Sequence, residues 1–176
     1  MQVVWSWTHY YNPDWGTGSA PSECKKYADI ARDKYLSGDK DSAYENLGYA
    51  SHFLADIGNP LHTGAELSQV MLSAIKFGDI KYIHRAYENY VSANWNSGYN
   101  FKSVVENNWY YYSVNDPELA TKDLARYTHQ YADTIVWTIF TNPDSWQSDQ
   151  NIKNITENCL LETAKYMLGL VKYVRG

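Results

Sequence analysis

The chain is poor in cysteine: Cys24 and Cys159 are the two present among 176 residues. That excludes a disulfide scaffold, leaves one bridge or none, and gives no reading of the compartment. Basic residues are in the minority, 15 against 20 acidic, for a net charge of −5. Electrostatic binding to nucleic acid needs a basic face, so a nucleic-acid partner is not expected. The same balance does not exclude a small anionic substrate held by metal ions. No run of 18 apolar residues occurs, so no transmembrane helix is expected. The first residues, MQVVWSWTHYY, lack a basic stretch and a long apolar run, so no signal peptide is read there. Phenylalanine is scarce, 4 residues, beside 17 Tyr and 7 Trp. Tyr and Trp pair an apolar body with a polar tip and suit half-wet cleft walls and membrane interfaces.

The apolar content of 44% is enough for a real core, and the length fits one domain over residues 1–176. Helical periodicity dominates after residue 19. Tyr27, Ile30, Ala31, Lys34 and Tyr35 share one face of a helix over 21–37. Ala43, Leu47, Ala50, Leu54 and Ile57 recur over 40–57, and Gly58-Asn59-Pro60 stops that helix. Further helices are read over 65–77, 81–94, 101–109, 117–140 and 149–174. Strand alternation is nowhere sustained. The expected class is all-α, an irregular single-domain helical bundle.

Five histidines are present: His9, His52, His62, His84 and His129. His52 and Asp56 are four residues apart, as are His84 and Glu88. On a helix that spacing puts both side chains on one face, a turn apart, where two ligands can converge on one metal ion. His62 follows Asp56 by six residues, across the Gly-Asn-Pro turn that can fold it back to the helix end. His52 and Asp56 fall opposite the apolar stripe of their helix, so a plain solvated face is the competing reading. Two His–carboxylate pairs plus His62 weigh against it, and nitrogen and oxygen ligands of this kind suit zinc. His129 has only Asp133 at ligand spacing and reads as a surface or half-buried helix residue. Trp109-Tyr110-Tyr111-Tyr112 reads as core and cleft wall, with a lipid-touching patch as the alternative; Trp5 and Trp7 flank His9 as cleft candidates. Asn154-Ile155-Thr156 matches a glycosylation sequon.

These residues carry a family resemblance. His52-Phe-Leu-Ala-Asp56-Ile-Gly-Asn-Pro60-Leu-His62 resembles the H-[YF]-x-G-D-x-x-x-P-x-H signature of the zinc-dependent phospholipase C family. Thr8-His9-Tyr10-Tyr11-Asn12-Pro13-Asp14 resembles its [ST]-H-[FY]-[YW]-D-P-D segment. His84-Arg-Ala-Tyr87-Glu88-Asn89-Tyr90-Val91 resembles its H-x-x-Y-E-N-[FY]-V segment. The three occur in family order, and the likeness is clear over about residues 8–92 and weak in the last helix. The resemblance implies the fold of the zinc-dependent phospholipase C and S1/P1 nuclease type, with a two- or three-zinc cleft. It implies that His9, His52 and Asp56 hold one zinc and that His62, His84 and Glu88 hold a second. It gives Asp56 a metal-bridging role, and Asp56 and Glu88 are the catalytic candidates.

Departures accompany it. The family draws further ligands from its mature N-terminus and from an Asp about a dozen residues before the first motif. Only eight residues precede His9 here, none Asp or His, so those ligands are expected to be missing and activity reduced. Ala55 stands for Gly and Asn12 for Asp, both milder changes. The expected activity is zinc-dependent, phospholipase C-type phosphodiester hydrolysis of a phospholipid, giving a diradylglycerol and a phosphorylated headgroup. Peripheral membrane contact and a secreted or extracellular location are implied with it. The alternatives are an S1/P1-type zinc nuclease, disfavoured by the Glu-Asn of the third motif, and a catalytically impaired, metal-stabilised lipid-binding module.

Overall fold

A computed structural model describes residues 7–65 and 69–176, and among these it contains helices and no strand. The order is a 3-10 turn at Trp7–His9, α1 Ala20–Leu36, α2 Lys40–Gly58, a second 3-10 turn at Pro60–His62, α3 Gln69–Ala74 and α4 Phe77–Ala93. Then come α5 Phe101–Glu106, α6 Pro117–His129, α7 Ala132–Thr141, a third 3-10 turn at Trp146–Ser148 and α8 Gln150–Arg175. The all-α expectation is borne out. No described helix is long and apolar enough to cross a membrane.

Two apolar clusters form the interior. One joins α1, α2, α6 and the C-terminal half of α8 through Cys24, Ala28, Leu47, Leu54, Leu124 and Leu170. The other joins α4, α5, α7 and the N-terminal half of α8 through Ile83, Phe101, Ile135, Ile139, Trp146 and Ile152. At about 1.5 Å rise per residue, α8 runs about 39 Å and serves both. Cys24 lies in the first cluster and Cys159 in the second, both as free thiols.

The stripe expected on α2 is the one buried: Ala43, Leu47, Ala50, Leu54 and Ile57. On α1 the buried face is Ala20, Cys24, Ala28 and Ala31, whereas Ile30 is exposed. Small side chains let α1 lie close against α2, which turns the larger Ile30 outward.

The helix expected over 117–140 is two helices. The Tyr131 amide bonds the Thr128 carbonyl at 3.1 Å, a tight turn that separates α6 from α7. α6 packs Leu124 and Ala125 into the first cluster, and α7 packs Ile135 and Val136 into the second. One straight helix could not serve both. α4 begins at Phe77 rather than 81, because the Asp79 carboxylate accepts the Lys76 amide at 2.8 Å and caps the first turn. α3 is shorter than the expected 65–77, and residues 66–68 of that span lie outside the described residues, as does Trp5. α5 ends at Glu106, short of 109.

Gly58 belongs to α2. A Cβ there would lie 2.2 Å from Thr163 Oγ1, so its lack of a side chain seats α2 directly on α8. The expectation that Trp109–Tyr112 is core and cleft wall is corrected for the core: Trp109 is 89% and Tyr110 66% exposed, while Tyr111 and Tyr112 line a groove. The Tyr112 amide bonds the Lys165 carbonyl of α8 at 3.3 Å, so the segment lies on the outside of that helix. Thr156 of the sequon is buried against Tyr87, which removes it from the surface.

Candidate metal centre

Three short segments meet at the second 3-10 turn. The Asn59 side chain accepts the Leu61 amide at 3.1 Å, and the His62 amide bonds the Asn59 carbonyl at 2.9 Å. Pro60 fixes the backbone between them, so the chain reverses at the end of α2 and buries His62. The loop carrying His9 lies against this turn. The Tyr11 amide donates to the His62 carbonyl at 3.1 Å, and His62 Nδ1 donates to the His9 carbonyl at 2.7 Å. Gly64, with φ +83°, allows the approach: a Cβ there would meet Tyr10 Oη at 2.6 Å and Asn12 Nδ2 at 2.9 Å.

The loop holds its own shape. Asn12 Oδ1 accepts the amides of Asp14 and Trp15 at 2.9 and 3.1 Å. An asparagine does this as well as an aspartate, which makes Asn12 a mild departure from the motif.

Two groups of ligand-type atoms result, and in each group they lie within 4.8 Å of one another. In the first, His9 Nδ1 is 2.6 Å from Asp56 Oδ2 and 3.1 Å from His52 Nε2, and His52 Nε2 is 3.5 Å from Asp56 Oδ2. In the second, His84 Nε2 is 2.9 Å from His62 Nε2, and Glu88 is 3.6 Å from His62 and 3.4 Å from His84. The structure thus gathers all six expected side chains into two triplets, each with two imidazoles and one carboxylate. His9 belongs to both neighbourhoods, its ring to the first triplet and its carbonyl to the second.

The electrostatics of the second triplet are distinctive. Burial pushes His62 down, but hydrogen bonds to Glu88 and the His9 carbonyl, with the charges of Asp56 and Glu88, lift it above the ordinary histidine value. Burial outweighs the Glu88 charge at His84 and lowers it to about 4. Glu88 is held below the usual carboxylate range, chiefly by its hydrogen bond to His62.

The donor set fits a borderline divalent ion. A carbonyl only accepts, so Nδ1 keeps its proton in the neutral His62 ring, and a metal ion at Nε2 would replace the second proton, the one that faces Glu88. Two ring nitrogens 2.9 Å apart cannot both carry protons, and a shared cation satisfies both. Two imidazoles and a carboxylate form the three-ligand set of open zinc sites. Among the described residues, these two triplets are the groups that could hold a metal ion.

α6 reaches the same place. Thr128 Oγ1 donates to the Ile57 carbonyl at 2.8 Å, next to Asp56. His129 Nδ1 is 3.1 Å from the Thr63 carbonyl, next to His62, and His129 Nε2 is 3.1 Å from Asp14 Oδ2 in the His9 loop. The sequence reading gave His129 no site role. Its partners lie 66 and 115 residues away, beyond any helical spacing. The signal available was Asp14, which is part of the first motif.

No family model matches the chain. Over 93 residues it is 34% identical to a phospholipase C of Listeria monocytogenes, covering 48% of this chain and 28% of that protein. It is 28% identical over 120 residues to a phospholipase C of Bacillus cereus, covering 63% of this chain and 38% of that one. In fold it is similar to the alpha-toxin of Clostridium perfringens from an avian strain, with a TM-score of 0.50 and 20% identity, over 99% of this chain and 45% of that one. The chain spans less than half the length of these relatives. It resembles phospholipase C in sequence and alpha-toxin in fold.

Proposed function

We propose that the chain is a zinc-dependent phospholipase C-type hydrolase, one domain that cleaves a phospholipid phosphodiester to a diradylglycerol and a phosphorylated headgroup. The observation that supports this best is the pair of His-His-carboxylate triplets joined through His9. In this reading His9, His52 and Asp56 hold one zinc, and His62, His84 and Glu88 hold another. Zinc would supply positive charge against the non-bridging phosphodiester oxygens and acidify a water.

The chain's own residues do the rest. Asp56 orients the rings of His9 and His52. The His9 carbonyl sets the tautomer of His62, and Glu88 keeps its charge beside His62 at the open side of the centre, with its side chain 50% exposed. Both carboxylates are placed to take a proton from an attacking water. Trp7, in the same turn as His9, and Trp15, in the loop that follows, are 51% and 74% exposed and offer apolar surface to a lipid substrate. A secreted protein acting at a membrane surface fits this substrate.

The test is a zinc-loaded assay on phosphatidylcholine, with single-stranded DNA in parallel and chelator controls. Lipid cleavage abolished by chelation is expected. Cleavage of DNA alone would move the reading to an S1/P1-type nuclease, and zinc binding with no cleavage of either would move it to a lipid-binding module.

A further inference from the structure

Away from the metal centre, a groove of about 860 Å³ lies between the C-terminal ends of α1 and α8 and the extended segment 111–115. That volume is within the range of small-molecule sites, roughly 300–1,000 Å³. Tyr35 forms part of its wall, and Lys40 at the start of α2 donates to the Tyr35 carbonyl at 2.7 Å. His52 lies twelve residues further along α2, about 18 Å by helical rise, so the groove is separate from the metal triplets.

The groove has a definite construction. The Tyr112 amide bonds the Lys165 carbonyl at 3.3 Å, and the Tyr112 ring packs 4.7 Å from that of Tyr166. A Cβ on Gly169 would stand 2.1 Å from the Tyr112 carbonyl oxygen, so glycine lets the segment lie directly on α8 and form a wall.

Its charge is one-sided. Arg32, Lys172 and Arg175 line it, and no Asp or Glu does, in a chain whose net charge is −5. The three cations rest on tyrosines instead of carboxylates. Arg32 donates to the Tyr173 carbonyl and lies 5.0 Å from the Tyr173 ring, Lys172 lies 4.2 Å from the Tyr111 ring, and Arg175 bonds Tyr35. Asp29, on the same helix as Arg32, is engaged by Lys25 and by the Tyr173 hydroxyl. Lys172 and Arg175 also complement the C-terminal end of α8, as any last-turn cation does. That role does not require Arg32, from another helix, to face the same cavity.

From these contacts we infer that the groove is a second binding site, one that takes the phosphate of a compact organophosphate. Guanidinium and ammonium groups recognise phosphate by charge-assisted hydrogen bonds. The hydroxyls of Tyr35 and Tyr111 add donors, and the tyrosine rings give flat walls for the organic part. The phosphate can be carried by a soluble ester or by an anionic lipid headgroup. The exposed Trp109 and Tyr110, next to the wall segment, are suited to an interface.

Titration calorimetry with glycerol 3-phosphate and cosedimentation with phosphatidylglycerol vesicles test this. Saturable, salt-sensitive binding is expected in at least one arm, weakened tenfold or more in Lys172→Glu/Arg175→Glu. Both positions are exposed, so the fold should persist, with a modestly lower thermal midpoint from the loss of two last-turn cations on α8. His62→Ala should bind as the parent does. Binding of the soluble ester identifies a soluble ligand, and binding of vesicles alone identifies a lipid headgroup. No binding in either arm overturns the inference, as does binding that survives the double reversal or falls in His62→Ala.

Discussion

His62 Nδ1 donates to the backbone carbonyl of His9 across 2.7 Å, so the second ligand triplet is braced by a main-chain atom of the loop that supplies the first. A side-chain substitution at His9 leaves that carbonyl in place. His9→Ala should therefore lose zinc from the first triplet alone. His62→Ala removes a ligand and releases the loop. The second triplet, with His62 and His84 buried, should also bind more tightly than the first, where His52 has a side chain 56% exposed. Equilibrium dialysis should show His9→Ala keeping the tighter ion and His62→Ala losing it. Equal losses in the two variants would contradict the ranking.

The end of α6 is expected to position ligands it does not supply. Thr128 and His129 hold the carbonyls of Ile57 and Thr63 and the carboxylate of Asp14. Direct outer partners of metal ligands typically contribute 10–100-fold in affinity, and these lie one residue further out, so the effect should be at the low end, about tenfold or less. Asp14→Ala breaks one contact of His129 and His129→Ala breaks that one and the Thr63 contact, so the double variant should bind zinc little worse than His129→Ala alone. Additive losses in a double-mutant cycle would show that the two act separately.

Gly58→Ala should destabilise the protein by about 1–3 kcal/mol, the usual effect of forcing a methyl into a packed contact. The opposing atoms belong to Thr163, so Thr163→Ala should restore part of the loss. Denaturant melts of the two singles and the double check this. No rescue would mean that α2 and α8 do not meet at that pair.

Burial pushes the thiols of Cys24 and Cys159 up to about 12. Their thiols should resist alkylation at pH 8 in the folded protein and react on unfolding. A raised acid pKa favours the neutral form in the fold. Its stabilising effect is whole below pH 9 and is lost as pH rises toward 12. The limiting slope is about 1.4 kcal/mol per pH unit for each thiol. Chemical denaturation between pH 8 and 10.5 should show falling stability, and replacing both cysteines with alanine should flatten the fall.

Much of the site was legible in the sequence because it rests on local geometry. The pairs His52/Asp56 and His84/Glu88 follow from helical spacing, and the return of His62 follows from Asn59-Pro60. The buried stripe of α2 was legible for the same reason. The break between α6 and α7 was not, since Leu124 and Ile135 keep helical period while facing different clusters. The start of α4 at Phe77 was not legible, since the contact that sets it, the Lys76 amide on the Asp79 carboxylate, is seen only once the turn is formed. His129 was read as a surface or half-buried helix residue, which its burial fits, but its contacts with Thr63 and Asp14 were not legible because they are tertiary. Trp109 and Tyr110 were misplaced because an aromatic run reads as interior, and only the course of the segment over α8 shows them outside, whereas Tyr111 and Tyr112 do form a groove wall.

Anomalous scattering at the zinc edge from zinc-loaded crystals locates the ions themselves. Two peaks are expected. One should lie within about 2.0–2.2 Å of ligand atoms of His9, His52 and Asp56, and the other at the same distance from His62, His84 and Glu88. A triplet with no peak, or a zinc ion bound elsewhere while His84 turns away from His62, would contradict the two-zinc reading.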